Sequence, residues 1–134
     1  MGAGQILKDD PTIPGSELLF RRVVWCFVIN GNGVASAAFI NRDRSDPHVS
    51  VDLSSLSTPR ETLSRWPSAA GVVQLLAGFV RDHTLGVARY PVEGNPAHAL
   101  IIRDLQMSRG QWKEVARKLA KACVWAIHPR SRTG

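Results

Sequence analysis

Residues near the C-terminal end of this 134-residue chain have the types and spacing that recognition of phosphates and bases requires. Successive residues of a helix are about 100° apart around its axis, and this spacing predicts four cations and an indole on one face. These residues are Lys113, Arg117, Lys118, Lys121 and Trp125. Cations on a shared face neutralise phosphates, and an aromatic ring among them stacks on a base. We therefore predict that the five residues bind nucleic acid or another partner.

The opposite face of the same predicted helix is apolar, and we expect it to pack against the core. Its members are Trp112, Val115, Leu119, Ala122, Cys123, Ala126 and Ile127. A simpler interpretation of the charged face is that its cations only solvate the outside of the helix, while Trp125 packs under a loop. An indole exposed beside cations would favour a partner contact over this simpler interpretation.

His98 is the candidate catalytic residue, because an imidazole serves as a general base or a metal ligand near neutral pH. It lies at the start of an apolar segment, where it could equally hydrogen-bond a backbone group at a sheet edge. An enzyme that used His98 would have His48, Asp52 or the pair Arg21-Arg22 as its partners. This alternative predicts a small hydrolase, nuclease or transferase-type toxin.

A second set of polar residues alternates with apolar ones, so a strand would place the whole set on one face. The set comprises Asp46, His48, Ser50 and Asp52. Carboxylates beside an imidazole can hold a metal, but the spacing matches no metal-binding motif. We interpret the set as the solvated face of an edge strand, and we predict neither a metal nor a cofactor.

Arg21 and Arg22 are consecutive within an apolar run, so a strand would point them to opposite faces. The arginine that faces the core then needs a buried acid, unless it lines a pocket.

The two cysteines, Cys26 and Cys123, form neither a disulfide framework nor a zinc knuckle. We predict that both thiols are buried, reduced and unpaired, as expected of a cytoplasmic protein.

The charge of the chain is distributed unevenly. Residues 103–134 hold eight Lys and Arg and two acidic residues, and they carry the whole net charge of +6 because the remainder is neutral. This asymmetry favours an anionic partner for one end of the molecule.

The length and the 44% hydrophobic content predict one folded domain and exclude wholesale disorder, a kinase and a TIM barrel. No apolar stretch is long enough to span a bilayer, so we expect no membrane partner.

The elements that must position these residues follow from periodicity, caps and turns. The predicted strands cover Glu17–Ile29, Val34–Ile40, His48–Leu53, Leu85–Val92 and Ala97–Ile102. The first two flank the hairpin turn signal Asn30-Gly31-Asn32-Gly33. The predicted helices begin at the N-caps Thr58, Ser68 and Ser108 and end near Trp66, Asp82 and His128.

The resulting order, β-β-β-α-α-β-β-α, predicts an α+β fold: a single antiparallel sheet of about five strands with helices packed on one face. We expect a flexible N-terminal arm at residues 1–15, a single domain at residues 16–128 and a basic tail at residues 129–134.

Three segments resemble a family of small bacterial proteins to which no activity is attached. They are Ser36-Ala37-Ala38-Phe39, Val49-Ser50-Val51-Asp52 and Gly94-Asn95-Pro96-Ala97-His98-Ala99. The similarity covers roughly residues 17–128 and implies only a bacterial cytoplasmic protein.

The preferred hypothesis is a non-enzymatic module or accessory subunit that contacts nucleic acid, or a protein–nucleic acid assembly, through the basic helix. The alternatives are the enzyme that uses His98 and a protein-interaction subunit that docks on an acidic partner.

Overall fold

The computed structural model describes residues 7–30, 32–40, 48–104 and 106–129. Its strands are β1 (Leu18–Val23), β2 (Val28–Ile29), β3 (Gly33–Val34), β4 (Val49–Leu53), β5 (Gly71–Leu76), β6 (Gly86–Arg89), β7 (His98–Ile102) and β8 (Val124–Ile127). Its α-helices are α1 (Pro59–Ser64), α2 (Ala77–Arg81) and α3 (Arg109–Ala122). Two 3-10 turns lie at Trp25–Phe27 and Ser36–Phe39.

Six strands form one sheet in the order β6-β7-β4-β1-β5-β8, and each neighbouring pair is antiparallel. Strands β2 and β3 form a separate short hairpin. The predicted α+β class with an antiparallel sheet is therefore confirmed. The predicted number of about five strands is one short, because six strands form the sheet in the described part of the chain.

The predicted long strand at Glu17–Ile29 is interrupted after Val23 by the first 3-10 turn. Strands β2 and β3 pair on either side of the predicted turn, where Asn30 has a φ of 52°, a value that Asn tolerates; Gly31 lies outside the described residues. The predicted returning strand at Val34–Ile40 is mostly wrong, since it ends at Val34 and the chain forms the second 3-10 turn. That turn buries Ala38 and Phe39, so a compact turn fills the core better than a flat strand would.

The predicted helix that Ser68 caps is wrong over its first half. Residues Gly71–Leu76 form β5, which lies between β1 and β8, and only Ala77–Arg81 are helical. A short apolar run has the same appearance in a buried strand and in a buried helix. The adjacent Val72 and Val73 favour the strand because β-branched side chains pack well on a pleated surface.

The predicted helix from Ser108 to His128 is also too long. Helix α3 ends at Ala122, Cys123 adopts an extended conformation, and the chain continues as β8 beside β5. Trp125, Ala126 and Ile127 are therefore strand residues, and the helical spacing applies only as far as Ala122.

The two faces of the sheet carry different structures. The main core lies between one face and the second 3-10 turn, α2 and α3; it includes Leu19, Phe39, Val73, Ile101, Trp112 and Leu119. Helix α1 lies on the other face, because its Thr62 bonds to Asp52, which alternates along β4 with the core residues Val51 and Leu53. Helices thus cover both faces, which corrects the prediction of helices on one face.

The two outer strands of the sheet differ in their surroundings. At β6, the backbone N–H of Asp10 donates to the carbonyl of Val87, and the N–H of Val87 donates to the Asp9 carboxylate. Ile13 is buried, so residues 9–13 of the predicted arm pack against the sheet. Strand β8 pairs only with β5 among the described residues. Residues 1–6 of the arm and 130–134 of the tail lie outside the described ranges.

Candidate functional site

Helix α3 is fixed at its start by a capping box. The Ser108 hydroxyl accepts from the N–H of Gln111, and the Gln111 side chain accepts from the N–H of Ser108. Its buried residues are Trp112, Ala116, Leu119 and Ala120. Ala122 is exposed, which corrects its place on the predicted core face, while Val115 and Cys123 pack partly against the core.

The four predicted cations of α3 are exposed; they are Lys113, Arg117, Lys118 and Lys121. Arg117 forms an ion pair with Glu114, one turn earlier, and its Nε lies 3.2 Å from Glu114 Oε2. The hydrogen bond from Arg117 lowers the pKa of Glu114, and the same bond raises the pKa of Arg117. Both groups are therefore charged at neutral pH, and the helix surface keeps a net positive charge.

Trp125 lies on β8 opposite Val73 and is half-buried. Its Nε1–H donates to the Asn32 carbonyl at 2.6 Å, which ties β8 to the β2–β3 hairpin. Gly71 makes room for this arrangement, because a Cβ there would meet the Ile127 carbonyl and the Trp125 ring. The prediction that Trp125 shares a helix face with the cations is wrong, since it stands on a strand.

An open groove nevertheless brings Trp125 next to two of the cations. The groove has a volume of about 460 Å³ and runs between α3 and the hairpin. It is lined by Ile29, Asn32, Gly33, Val34, Ala35, Ser36, Arg117, Ala120, Lys121, Cys123 and Trp125. We call it the α3–hairpin groove. Lys113 and Lys118 are not part of its lining. The arrangement offers an aromatic surface, an apolar wall and two cations within one depression.

A polar network lies on the other face of the sheet, around Asp52, which is only 2% exposed. One carboxylate oxygen accepts from Thr62 Oγ1 and from Arg65 Nη1, both at 2.8 Å. The other oxygen accepts from Asn95 Nδ2 at 2.9 Å. The prediction that Asp52 lies on a solvated edge strand is wrong, because β4 is an interior strand between β7 and β1. Asp46, in the same predicted set, lies outside the described residues.

His98 lies on β7 directly opposite Asp52. Its Nδ1 is 2.7 Å from the Tyr90 carbonyl, so Nδ1 must donate and the neutral ring has its lone pair on Nε2. A small cavity of about 10 Å³ lies beside the ring, with room for one water. Its lining consists of Phe20, Arg22, Ser50, Val51, Asp52, Thr62 and His98. We call it the Arg22 cavity. His48 is not in the lining; its Nδ1 accepts from the N–H of Arg103 at 3.4 Å.

Arg21 faces the main core, where it binds carbonyl oxygens instead of a buried acid. Its Nε donates to the Ala38 carbonyl and its Nη1 to the Ser50 carbonyl, both at 2.8 Å. Burial lowers the pKa of Arg21 to about 10, with a smaller contribution from Arg22, so the guanidinium stays charged at neutral pH. The expectation of an acid partner or a pocket is therefore replaced by backbone acceptors.

Arg22 points to the opposite face, over the ring of Trp66 at 5.6 Å from the ring centroid. Burial lowers the pKa of Arg22, the negative charge of Asp52 raises it, and the positive charge of Arg65 lowers it further. Arg22 therefore lies close enough to both groups to sense their charges. Nothing in the spacing of the sequence predicted that Arg22, Asp52, Arg65 and Trp66 would meet.

Both thiols are unpaired, as predicted, but their burial differs from the prediction. Cys26 is exposed, because the first 3-10 turn replaces the expected core strand. Cys123 is partly buried, and burial raises its pKa to about 11, so its thiol stays protonated at neutral pH. Within the described ranges, no three His, Cys, Asp or Glu side chains are grouped to hold a metal ion.

No family model, curated protein or solved structure matches the chain. The resemblance to small bacterial proteins therefore stays a prediction, and no relative supplies a residue role. Among the helices in the described part of the chain, none has the length and hydropathy needed to cross a membrane.

Proposed function

We propose that this chain is a non-enzymatic module that binds single-stranded nucleic acid in the α3–hairpin groove. The observation that carries the proposal is the juxtaposition of Trp125 with Arg117 and Lys121 in one open depression. Cations hold the backbone phosphates, and the indole supplies a stacking surface for a base. Lys113 and Lys118, exposed on the same helix, extend the positive surface beyond the groove.

A single strand fits the groove better than a duplex does. Stacking on Trp125 needs a base whose flat surface is accessible, and a duplex covers that surface on both sides. The Trp125 N–H already donates to Asn32, so the ring is held in place and is left to interact through its face. These features support sequence-tolerant binding by stacking and charge rather than recognition of base edges.

The chemistry of the other polar site favours binding over catalysis. Both carboxylate oxygens of Asp52 accept hydrogen bonds from neighbouring side chains, so Asp52 is a poor general base. The Arg22 cavity beside His98 admits only one water-sized group. The enzyme alternative therefore has less support than the binding module. The proposal keeps the bacterial cytoplasmic setting that the resemblance implies.

The proposal is tested by fluorescence anisotropy of labelled single-stranded oligonucleotides between low and moderate salt. We expect the double variant Arg117→Ala with Lys121→Ala to bind more weakly. Its log–log salt slope should be shallower by about 1.4, since each phosphate contact contributes about 0.7 for a single strand. The matched control is Arg60→Ala with Arg109→Ala, which removes the same charge from exposed positions outside the groove lining. Equal weakening by the control would overturn the groove as the site.

Trp125 is tested separately, because it also has a structural role. Trp125→Phe keeps an aromatic face and loses the bond to Asn32, whereas Trp125→Leu loses both. We expect Trp125→Leu to cost a further 1–3 kcal/mol or so of binding compared with Trp125→Phe. Equal affinities for the two variants would exclude stacking. Binding that does not respond to salt, or binding to an acidic protein alone, would replace the proposal with the protein-interaction alternative.

A further inference from the structure

The Arg22 cavity and its surroundings hold two cations, Arg22 and Arg65, and one anion, Asp52. The carboxylate of Asp52 is neutralised by Arg65, whose Nη1 lies 2.8 Å from Asp52 Oδ2. Arg22 adds a second cation beside this pair, and within the described chain it forms no hydrogen bond or ion pair. Its guanidinium can donate five N–H groups in a planar fork, which matches two oxygens of an anion.

Two other polar groups line the same cavity. Ser50 lies next to Arg22, because the β1–β4 register that pairs Phe20 with Asp52 brings positions 22 and 50 together. The Ser50 hydroxyl forms no hydrogen bond with any described residue. His98 presents Nε2, since its Nδ1–H is held by the Tyr90 carbonyl. One donor fork, one hydroxyl and one ring nitrogen therefore converge without hydrogen-bond partners among the described residues.

The cavity has a shape that fits one oxygen atom at a time. Its volume of about 10 Å³ admits a water-sized group, and it is partly open to solvent. Trp66, which is 52% exposed, packs its ring against the Arg22 guanidinium and offers a flat aromatic surface next to the cavity. A ligand would therefore put one oxygen inside and keep the rest of its bulk against Arg22 and Trp66.

We propose that Arg22, Ser50 and His98 form a binding site for the phosphate group of a phosphate monoester. In the monoanion of the monoester, the protonated phosphate oxygen enters the cavity, where it donates to Nε2 of His98 and accepts from the Ser50 hydroxyl. Two other oxygens accept from the guanidinium fork of Arg22. A carboxylate has only two oxygens and cannot satisfy both positions at once. The organic part of the monoester lies outside, where the exposed ring of Trp66 favours an aromatic group. This site lies on the opposite face of the sheet from the α3–hairpin groove and does not depend on the proposed function.

The test is an NMR titration of the full chain at constant ionic strength, with inorganic phosphate, phenyl phosphate and acetate as probes. We expect saturable shifts at the Arg22 Nε–H and the His98 ring with both phosphates and none with acetate. Phenyl phosphate should bind more tightly than inorganic phosphate, and Trp66→Leu should remove that difference. Equal affinities for the two phosphates would instead assign the site to free phosphate. Equal responses to acetate and phosphate would show anion screening only and overturn the proposal.

Variants identify the residues responsible. Arg22→Gln should weaken phosphate binding by about tenfold or more, because a hydrogen bond to a charged group is lost. Ser50→Ala should weaken it by a smaller factor and serves as a second variant with little risk to folding. Arg60→Gln removes an exposed cation of α1 that is absent from the cavity lining and should leave the affinity unchanged. Unchanged affinity in both Arg22→Gln and Ser50→Ala would overturn the assignment.

Discussion

Arg21 and Arg22 are neighbours in β1, and the two faces of the sheet treat them in opposite ways. Arg21 points into the main core and donates to two backbone carbonyls, so its charge is part of the fold. Arg22 points toward α1 and has a cation–π contact with Trp66 but no hydrogen-bond acceptor among the described residues. Two consecutive arginines therefore differ in whether the described part of the fold supplies acceptors for their N–H groups.

The two faces also differ in the polar groups that they bury. Apolar side chains such as Val23, Phe39 and Leu119 dominate the core face. On the other face, α1 is attached through the buried carboxylate of Asp52, which joins Thr62, Arg65 and Asn95. The same face also buries the apolar side chains of Phe20, Val72 and Leu100, so the loss of the Asp52 charge can be compared with apolar packing that both faces share.

The largest effect is expected from Asp52→Ala. The change leaves Arg65 without its counterion and removes the acceptor of Thr62 and Asn95. We expect the free energy of unfolding to fall by about 3–5 kcal/mol in urea denaturation, as for other buried pairs that lose one partner. Asp82→Ala is the matched control, because Asp82 is exposed, and it should change stability by about 0.5 kcal/mol at most. Similar losses for both variants would show that the network does not hold α1.

A smaller effect is expected from Arg21→Met, which keeps an apolar stem and removes the donors. The carbonyls of Ala38 and Ser50 then lose the hydrogen bonds that Arg21 provides. We expect a loss of about 1–3 kcal/mol in the free energy of unfolding, the usual cost of buried groups without partners. Thermal and urea denaturation measure it. A gain in stability would mean that the cost of desolvating the guanidinium exceeds the value of its two hydrogen bonds.

The smallest effect is expected from Arg22→Met, the matched change one residue later. Among the described residues, Arg22 makes a cation–π contact with Trp66 and feels the charge of Asp52 but forms no hydrogen bond, so stability should change by about 1 kcal/mol or less. The same denaturation experiment measures it beside Arg21→Met. If the two variants lose equal stability, the contrast between the faces fails, and Arg22 belongs to the fold as Arg21 does.

Local signals in the sequence were sufficient for part of the fold. The N-caps Thr58 and Ser108 start helices as predicted, and the strands at Val49–Leu53 and His98–Ile102 lie within their predicted ranges. The exposed cations of α3 follow from helical spacing alone. In each case the signal and the structure involve residues that are close in the sequence, so no information about distant partners was needed.

The remaining features depend on distant partners. Residues Gly71–Leu76 become a strand because β1 and β8 supply hydrogen bonds on both sides. Asp52 is buried because β4 has neighbours on both edges and because Arg65 follows α1 at the right distance. The groove exists because β8 carries Trp125 away from α3 and back to the hairpin at Asn32. The alternation in β4 correctly predicted that Ser50 and Asp52 lie on one face of the sheet. Periodicity could not predict that α1 covers that face.

The covered border of the sheet at β6 restricts how copies of this molecule can join through their sheets. At β6, residues Asp9 and Asp10 already occupy hydrogen-bonding positions of Val87, while β8 pairs only with β5 within the described chain. A sheet that can grow at one border joins one other sheet and then stops, whereas a fibril needs two borders that accept strands. Residues 9 and 10 thus block strand addition at β6, so sedimentation of the concentrated protein should show no open-ended polymer built through that border.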